Sequence, residues 1–233
     1  MVNSYELFEQ VAHPNDVDDY YHIFNSSNLL NSVYWWEFFN QIRGLDGDII
    51  ECGVGRGRSL ITIASIDKLI STIDNREERK IFALDSFDGF PEPSEFDISK
   101  RSPKKGEWSM SPNKQFKYSP KTISKVLKLA GIDRKIDYVE GFFNQTTKDL
   151  EVVDIAILHL DGDLYESIKA PLNNLWQKVV IGGLIVIDDF FVKETADESF
   201  PGARTAIKEF MRDNDFFDYL TSMRGTPYLK RVK

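Results

Sequence analysis

Short apolar runs alternate along the chain with segments in which apolar residues recur every three or four positions. Five runs predict strands, and they span Asp48 to Cys52, Lys80 to Leu84, Ile136 to Glu140, Ile155 to Leu160 and Leu184 to Ile187. The helical spacing predicts helices over 58–72, 120–130, 165–178 and 203–213. Strands that alternate with helices indicate βαβ units, and so an α/β fold with a mostly parallel sheet. Because the strand segments are almost entirely apolar, we expect helices on both faces of the sheet.

Both ends of the sequence add elements to this predicted core. The aromatic-rich stretch VYWWEFFNQIR at 33–43 predicts a helix, and residues 16–25 predict a shorter one, so that 1–45 form an N-terminal helical cap. Phe216 to Val232 predict two strands around the turn Arg224 to Pro227, which would place an antiparallel strand at the edge of the sheet. We expect a single domain over 1–233.

Residues 86–118 interrupt the pattern. The segment is rich in Pro, Ser and Lys and has little periodicity, with aromatic residues set among them. Long loops in compact domains are usually functional or disordered. The interleaved aromatic residues favour a loop that packs on the domain, so we interpret 86–118 as a lid.

Composition restricts the class of protein. Of 233 residues, 42% are hydrophobic and 28% charged, as in an ordinary globular protein, and the net charge of −8 argues against a nucleic-acid partner. The single cysteine, Cys52, excludes an internal disulfide. No apolar run approaches the roughly 18 to 20 residues of a membrane helix, and we see no signal peptide. We therefore expect a cytoplasmic protein without a membrane partner, and we leave open whether it forms a homodimer.

A glycine-rich turn, ECGVGRGRS at 51–59, follows the first predicted strand. Glycines at this place let the backbone approach a ligand, which in parallel sheets binds beyond the carboxyl ends of the strands. We expect Ser59 to help cap the following helix. The turn lacks the Lys-Ser or Lys-Thr of nucleotide triphosphate enzymes, and its G-x-G-x-G spacing after Glu51 differs from the G-x-G-x-x-G of dinucleotide enzymes. An acid followed by G-x-G-x-G is typical of methyltransferases that use S-adenosylmethionine.

Acidic residues follow three other predicted strands. Asp85 ends the second strand, where a carboxylate can accept hydrogen bonds from both ribose hydroxyls of either NAD or S-adenosylmethionine. Asp161 and Asp163 follow the fourth strand, and Asp188 and Asp189 follow the fifth. These carboxylates would converge at one edge of the sheet, where their mutual repulsion would be relieved by a divalent cation such as Mg²⁺, Ca²⁺ or Mn²⁺. The alternative is that they are separate, solvated aspartates that cap the helices after them.

At these residues the sequence resembles the macrocin O-methyltransferase family, which methylates sugar hydroxyls in antibiotic biosynthesis, and its coumarin-antibiotic relatives. The matching stretches are IIECGVGRGRS, ALDSFDGFPEP, YVEGFFNQT, LHLDGDLYES, GGLIVIDDF and PGARTAIKEF, in the family's order over roughly residues 48 to 213. The resemblance implies a Rossmann-like class I methyltransferase that uses S-adenosylmethionine and Mg²⁺.

The resemblance also assigns roles by position. Asp161, Asp188 and Asp189 match the metal ligands, and Asp163 matches the general base. We expect the cofactor to be bound by Glu51, Cys52, Gly53, Val54, Gly55, Ser59, Asp85, Ser86, Gly141, Phe142 and Asp161.

The resulting prediction is methyl transfer to a hydroxyl of a sugar or glycosylated metabolite. The metal would lower the pKa of the acceptor hydroxyl, and Asp163 would take its proton. His159 is a second candidate base, because it lies two residues before Asp161 and so shares its face of the strand. The alternatives are a catechol-type O-methyltransferase, a NAD-dependent oxidoreductase and a non-catalytic nucleotide-binding module. The Asp-Asp pair at 188–189 weighs against the catechol type, which usually has Asp-Asn there.

Overall fold

Seven strands form one twisted sheet in the computed structural model, which describes residues 26–111, 114, 117–190 and 199–233. The strands are β1 (Asp48–Cys52), β2 (Ile81–Asp85), β3 (Asp137–Glu140), β4 (Ile155–Leu160), β5 (Val179–Ile187), β6 (Phe217–Thr221) and β7 (Pro227–Arg231). Their order is β3-β2-β1-β4-β5-β7-β6. The first five are parallel, and β7 pairs antiparallel with both β5 and β6.

Helices cover both faces of this sheet. They are α1 (Ser26–Gln41), α2 (Arg58–Asp74), α3 (Pro120–Leu129), α4 (Phe143–Thr146), α5 (Tyr165–Leu175) and α6 (Pro201–Asp213). Successive strand residues point to opposite faces, so Ile49 packs in the cluster under α1 and α2, and Ile50 in the cluster under α5 and α6. Among the described helices, none has the length and apolar character that crossing a membrane requires. The cytoplasmic location stays a prediction.

The predicted strands and helices are confirmed, with shifts of a few residues at their ends. The largest difference is β5, which begins at Val179 and not at Leu184. The predicted strand began only after Gly182-Gly183, because a pair of glycines usually interrupts a strand. Here the pair lies where the register between β4 and β5 shifts, and β5 continues through this irregularity. The closing hairpin with its antiparallel strands is also confirmed.

Three smaller predictions need correction. The helix predicted over 165–178 ends at Leu175 and gives way to a 3₁₀ turn, Trp176–Lys178. Ser59 does not cap α2, because the N-cap residue is Gly57 and no side chain caps this end. The cap helix predicted at 33–43 begins earlier, at Ser26, whereas the helix predicted at 16–25 lies outside the described residues.

The described part of the predicted lid packs on the domain. Phe90 makes an edge contact with Phe200 just before α6, and the 3₁₀ turn Glu95–Asp97 lies beside α5 and α6. Whether the segment opens and closes as a lid stays a prediction.

The order of the parallel strands fixes where a ligand can bind. From β1 the chain moves outward to β2 and β3, and then returns to the other side of β1 to form β4 and β5. The loops after β1 and β4 therefore diverge in opposite directions and leave a crevice at their carboxyl ends. The glycine turn and the predicted metal ligands both lie at this crevice.

A buried ion cluster at the opposite, amino end of the strands links helix α2 to the segments that lead into three of the strands. The carboxylate of Asp67 on α2 is fully buried and accepts hydrogen bonds from the side chains of Arg76 (2.8 Å) and Arg134 (2.9 Å) and from the backbone amide of Arg79 (2.9 Å). The guanidinium group of Arg79 also donates to the carbonyl oxygens of Gly47 and Ile42. This cluster connects α2 with the entries to β1, β2 and β3.

Replacing Asp67 with alanine is expected to lower the free energy of unfolding by about 3–5 kcal/mol, because buried guanidinium groups would lose their counter-charge. Urea denaturation at neutral pH measures the change. The control is Asp74→Ala on the same helix, whose carboxylate pairs with Arg43 at the surface and should give a wild-type midpoint. Equal effects of the two substitutions would contradict the structural role given to Asp67.

Candidate functional site

The glycine turn after β1 packs directly against the end of β4. Gly53 has φ +104°, and a Cβ there would overlap the carbonyl oxygen of Asp161 and lie 2.6 Å from its carbonyl carbon. Gly57 caps α2 in the left-handed conformation, with φ 81°. Gly55 has φ +49°, but only open space surrounds the position of its missing Cβ. Two glycines are therefore required by the packing and path of the protein's own backbone, and the third leaves room beside the turn.

Asp85 at the end of β2 holds this turn in place. One carboxylate oxygen accepts the backbone amides of Val54 and Gly55, both at 2.9 Å, and the other accepts the amide of Phe87 at 2.7 Å. Burial nevertheless raises the pKa of Asp85 and outweighs these hydrogen bonds. Asp85 thus organises the turn itself.

The residues predicted to lie near the adenine are neighbours of Asp85. The amide of Gly141 donates to the Asp85 carbonyl oxygen at 3.0 Å, and Phe142 begins the short helix α4. Ser86 bonds within its own loop, its hydroxyl donating to the carbonyl of Gly89 at 2.9 Å. Gly141, Phe142, Ser86 and Asp85 therefore lie at the carboxyl ends of β2 and β3, on one side of the glycine turn.

Glu51 is fully buried inside β1, where its neighbour on β4 is His159. The two side chains are 3.3 Å apart, from Nδ1 to Oε1, and Trp35 of α1 covers the imidazole with its ring centroid 4.8 Å away. Burial raises the pKa of Glu51, against the opposing effect of His159. The second carboxylate oxygen, Oε2, is buried without a hydrogen-bond partner. This atom is available to a donor on a ligand, whereas His159 is enclosed by protein.

The carboxylates predicted to share a metal do come together. Asp161, at the end of β4, and Asp188 and Asp189, at the end of β5, each offer an oxygen, and these oxygens lie within 4.8 Å of one another. The parallel pairing of β4 and β5 places Leu160 opposite Ile187, which brings the residues after both strands to the same height. Three carboxylate oxygens at this separation suit a hard divalent cation.

Negative charge is in excess at this cluster. Burial, followed by repulsion from the neighbouring carboxylates, raises the pKa of both Asp161 and Asp189 well above the ordinary value. Asp188 differs, because the Arg224 guanidinium overcomes the effect of burial and lowers its pKa. The cluster therefore has one carboxylate whose charged form is stabilised by the protein, Asp188, and two whose protonated form is favoured, Asp161 and Asp189.

Asp163, the predicted base, is held in an unusual backbone conformation beside this cluster. Its φ is +61°, in the left-handed region that few residues other than glycine adopt. Its backbone amide donates to Oδ2 of Asp189 at 3.2 Å. The left-handed conformation of Asp163 therefore keeps this residue against Asp189 and largely out of solvent.

Arg224 is the part of this site that the sequence analysis missed, since the residue was assigned only to the hairpin turn. Its guanidinium is buried, forms an ion pair with Asp188, and lies over the ring of Tyr34 at 5.4 Å. The hydroxyl oxygen of Tyr34 in turn lies 3.3 Å from the hydroxyl oxygen of Thr226, and the two share a hydrogen bond. The excess of carboxylates could have identified Arg224. A cluster of acidic strand ends calls for a nearby cation, and the hairpin predicted beside β5 contains an arginine.

The fold is that of a Rossmann-like class I methyltransferase. Two features define it: β7 is inserted antiparallel between β5 and β6, and a crevice lies after β1. The solved calicheamicin methyltransferase CalS11 has this fold, with a TM-score of 0.70 at 21% identity over 97% of this chain and 89% of its own. The chain belongs to the macrocin O-methyltransferase family, whose sequence model matches residues 39–226. The predictions of family and fold class are thereby confirmed, and members of this family transfer methyl groups to hydroxyls.

Two curated O-methyltransferases are similar to this chain in sequence. Demethyldecarbamoylnovobiocin O-methyltransferase of Streptomyces niveus is 28% identical over 80% of this chain and 67% of its own length. A 4'-O-methyltransferase of Streptomyces olivaceus, whose named substrate is a rhamnosyl derivative of tetracenomycin C, is 27% identical over 66% of this chain. The match spans only 57% of that second relative's length.

In the presence of a chelator at pH 8, Asp189→Asn is expected to raise the melting temperature and Asp188→Asn to lower it. The first change removes a repelled carboxylate, whereas the second removes the partner of buried Arg224. A raised carboxyl pKa means that the native state binds more protons, so the stability of the parent falls as pH rises above about 4, and the advantage of Asp189→Asn should grow with pH.

The measurement is differential scanning calorimetry of parent and both variants between pH 4 and 8 with a chelator. Asp188 has a lowered pKa, so its contribution to stability is fully present above about pH 4, and the deficit of Asp188→Asn should stay nearly constant between pH 4 and 8. Shifts of the same sign in the two variants at pH 8 would contradict this description of the cluster.

Proposed function

We propose that this chain uses S-adenosylmethionine and a divalent cation such as Mg²⁺ to methylate a hydroxyl of a sugar or glycosylated metabolite. One observation carries the proposal: the glycine turn and the carboxylate cluster are in direct contact, through the close packing of Gly53 on the Asp161 carbonyl. A methyl donor held at the turn and an acceptor held at the cluster would therefore be neighbours.

The residues present fit the cofactor. Oε2 of Glu51 is a buried acceptor that needs a donor, and an ammonium group such as that of the methionine moiety would satisfy it. The open space beside Gly55 leaves room for a ligand against the backbone. Asp85, with Gly141 and Phe142 beside it, would hold the ribose and adenine on the other side of the turn.

The residues present also fit a divalent cation, since the cluster offers three carboxylate oxygens and an excess of negative charge. When bound, the cation would supply Lewis acidity toward the acceptor hydroxyl. Asp161, Asp188 and Asp189 would hold it, and the ion pair with Arg224 would fix the orientation of Asp188.

Asp163 is the residue we assign to proton removal. It lies at the edge of the cluster, is 9% exposed, and has its backbone fixed by Asp189. Burial and the nearby carboxylates raise its pKa, which favours proton acceptance once the neighbouring charges are neutralised. His159 is a weaker candidate because its ring is enclosed between Glu51 and Trp35.

The acceptor class is inferred from the family. The Streptomyces olivaceus relative is named for a rhamnosyl substrate, and the family is named for macrocin. A sugar hydroxyl is a poor nucleophile near neutral pH, so an acceptor of this kind explains why a metal and a base would stand beside the methyl donor. Positioning of the reactants can supply about 7–11 kcal/mol of barrier reduction in favourable cases.

The contribution of Gly55 to cofactor binding is tested by Gly55→Ala, with Gly225→Ala in the closing hairpin as its matched control. Both glycines have a positive φ and open space around them, so both substitutions carry a similar backbone strain. Only Gly55→Ala is expected to weaken S-adenosylhomocysteine binding, by about tenfold or more, which corresponds to about 1.4 kcal/mol. Isothermal titration calorimetry measures this, and equal affinities in the two variants would count against a cofactor at the turn.

Methyl transfer from labelled S-adenosylmethionine to a panel of sugar acceptors tests the proposal as a whole. Asp161→Asn, Asp188→Asn and Asp189→Asn should each lose both Mg²⁺ binding and turnover, whereas Asp163→Asn should keep Mg²⁺ and lose turnover. S-adenosylhomocysteine, but not NAD, should raise the melting temperature of the parent. Methyl transfer that persists in a chelator would reject the metal, and stabilisation by NAD alone would reject the cofactor.

A further inference from the structure

Asp97, from the loop predicted as a lid, is a buried carboxylate at the start of α5. It is 2% exposed and accepts the backbone amide of Tyr165 at 2.8 Å through Oδ1. Its other oxygen, Oδ2, accepts both the amide and the hydroxyl of Ser94, each at 2.7 Å. The carboxylate therefore joins two segments that are far apart in the sequence.

This contact supplies a cap that α5 does not have of its own. The N-cap residue of the helix is Leu164, whose side chain has no acceptor, and no side chain in this position bonds to the first turn. The first helical residue, Tyr165, donates instead to Asp97. A carboxylate at the amino end of a helix is also favoured by the helix dipole.

The capped end of α5 is continuous with the turn that carries the candidate metal ligand and base. This turn, Asp161 to Leu164, is fixed at its beginning by the bond from the Asp161 amide to the Cys52 carbonyl, at 2.9 Å. At its other end the next residue, Tyr165, is fixed by Asp97. Between these two anchors Asp163 keeps its left-handed conformation.

The start of α6 is shaped to receive the same carboxylate. A Cβ on Gly202 would overlap Oδ1 of Asp97 and would lie 2.8 Å from the amide nitrogen of Tyr165. Gly202 does not have a positive φ, so the need for glycine here is one of space. A larger residue at 202 would displace Asp97 from α5.

We propose that Asp97 is a positioning residue for the reaction: by capping α5 it holds the turn Asp161 to Leu164, and with it the carboxyl group of Asp163, in the geometry that the chemistry needs. The inference rests on the proposed function, because Asp163 and Asp161 have their roles only there. A cap that served stability alone would not affect turnover in the folded protein.

The test compares Asp97→Ala, Asp97→Asn and Gly202→Ala in the full chain, with Glu95→Ala as control. Glu95 is an exposed acid in the same 3₁₀ turn. Asp97→Ala should lower kcat about tenfold or more with an unchanged KM for S-adenosylmethionine, at temperatures where every variant is folded. Asp97→Asn should restore part of the turnover, since its amide oxygen can still accept the Tyr165 amide although its NH2 group cannot accept the Ser94 amide. Gly202→Ala should repeat the loss seen in Asp97→Ala.

Two further measurements do not depend on activity. Mn²⁺ binding, followed by electron paramagnetic resonance, should weaken about tenfold in Asp97→Ala. Amide hydrogen exchange across 161–168 should also become faster in Asp97→Ala than in Glu95→Ala.

The outcomes separate this inference from the proposed function. Wild-type kcat and Mn²⁺ affinity in Asp97→Ala would overturn the positioning role, even if the melting temperature fell. A parent that methylates no acceptor would overturn the proposed function, and Mn²⁺ affinity and hydrogen exchange would then decide the role of Asp97 alone. Equal losses in Glu95→Ala and Asp97→Ala would also overturn the inference.

Discussion

Repulsion among partly buried carboxylates is the constraint around which this end of the molecule is organised. Asp161, Asp188 and Asp189 are brought within reach of one another because β4 and β5 are parallel and end at the same height. Burying like charges is costly unless an opposite charge compensates them. Arg224 supplies part of that compensation, and it can do so because the β6–β7 hairpin closes the sheet directly beside β5. The antiparallel edge of the sheet therefore serves the electrostatics of the site as well as the fold.

The second constraint is the close approach of backbones at the crevice. The turn after β1 can touch the end of β4 only because Gly53 lacks a side chain, and Asp85 secures the same turn from the other side through two backbone amides. The glycine-rich motif thus has an internal function, to let two strand ends meet, alongside the room it leaves for a ligand at Gly55. Both functions require glycine, so the sequence motif alone does not show which glycine serves the packing of the strands and which leaves room for a ligand.

The sequence predicted the sheet, both helical layers and the convergence of the acidic residues, because these follow from local periodicity and from the rule that parallel strands end together. It failed where distant segments decide the outcome. Gly182-Gly183 resembles the end of a strand but lies inside β5, where a change of register on β4 accommodates it. Arg224 and Asp97 lie far along the chain from the groups they bind, and no periodic pattern links them to Asp188 or Tyr165. The cap that α5 lacks in its own sequence is likewise invisible until the loop around Asp97 is placed.

The pairing of Asp188 with Arg224 has a consequence for the order in which the protein can mature. Arg224 is synthesised 36 residues after Asp188. During translation the acidic strand ends therefore emerge before Arg224, and the hairpin that carries Arg224 must dock on β5 before Asp188 gains its ion-pair partner. The parallel pairing of β1 to β5 involves no residue of the hairpin, but the charge of Asp188 is compensated only when the hairpin lies beside β5.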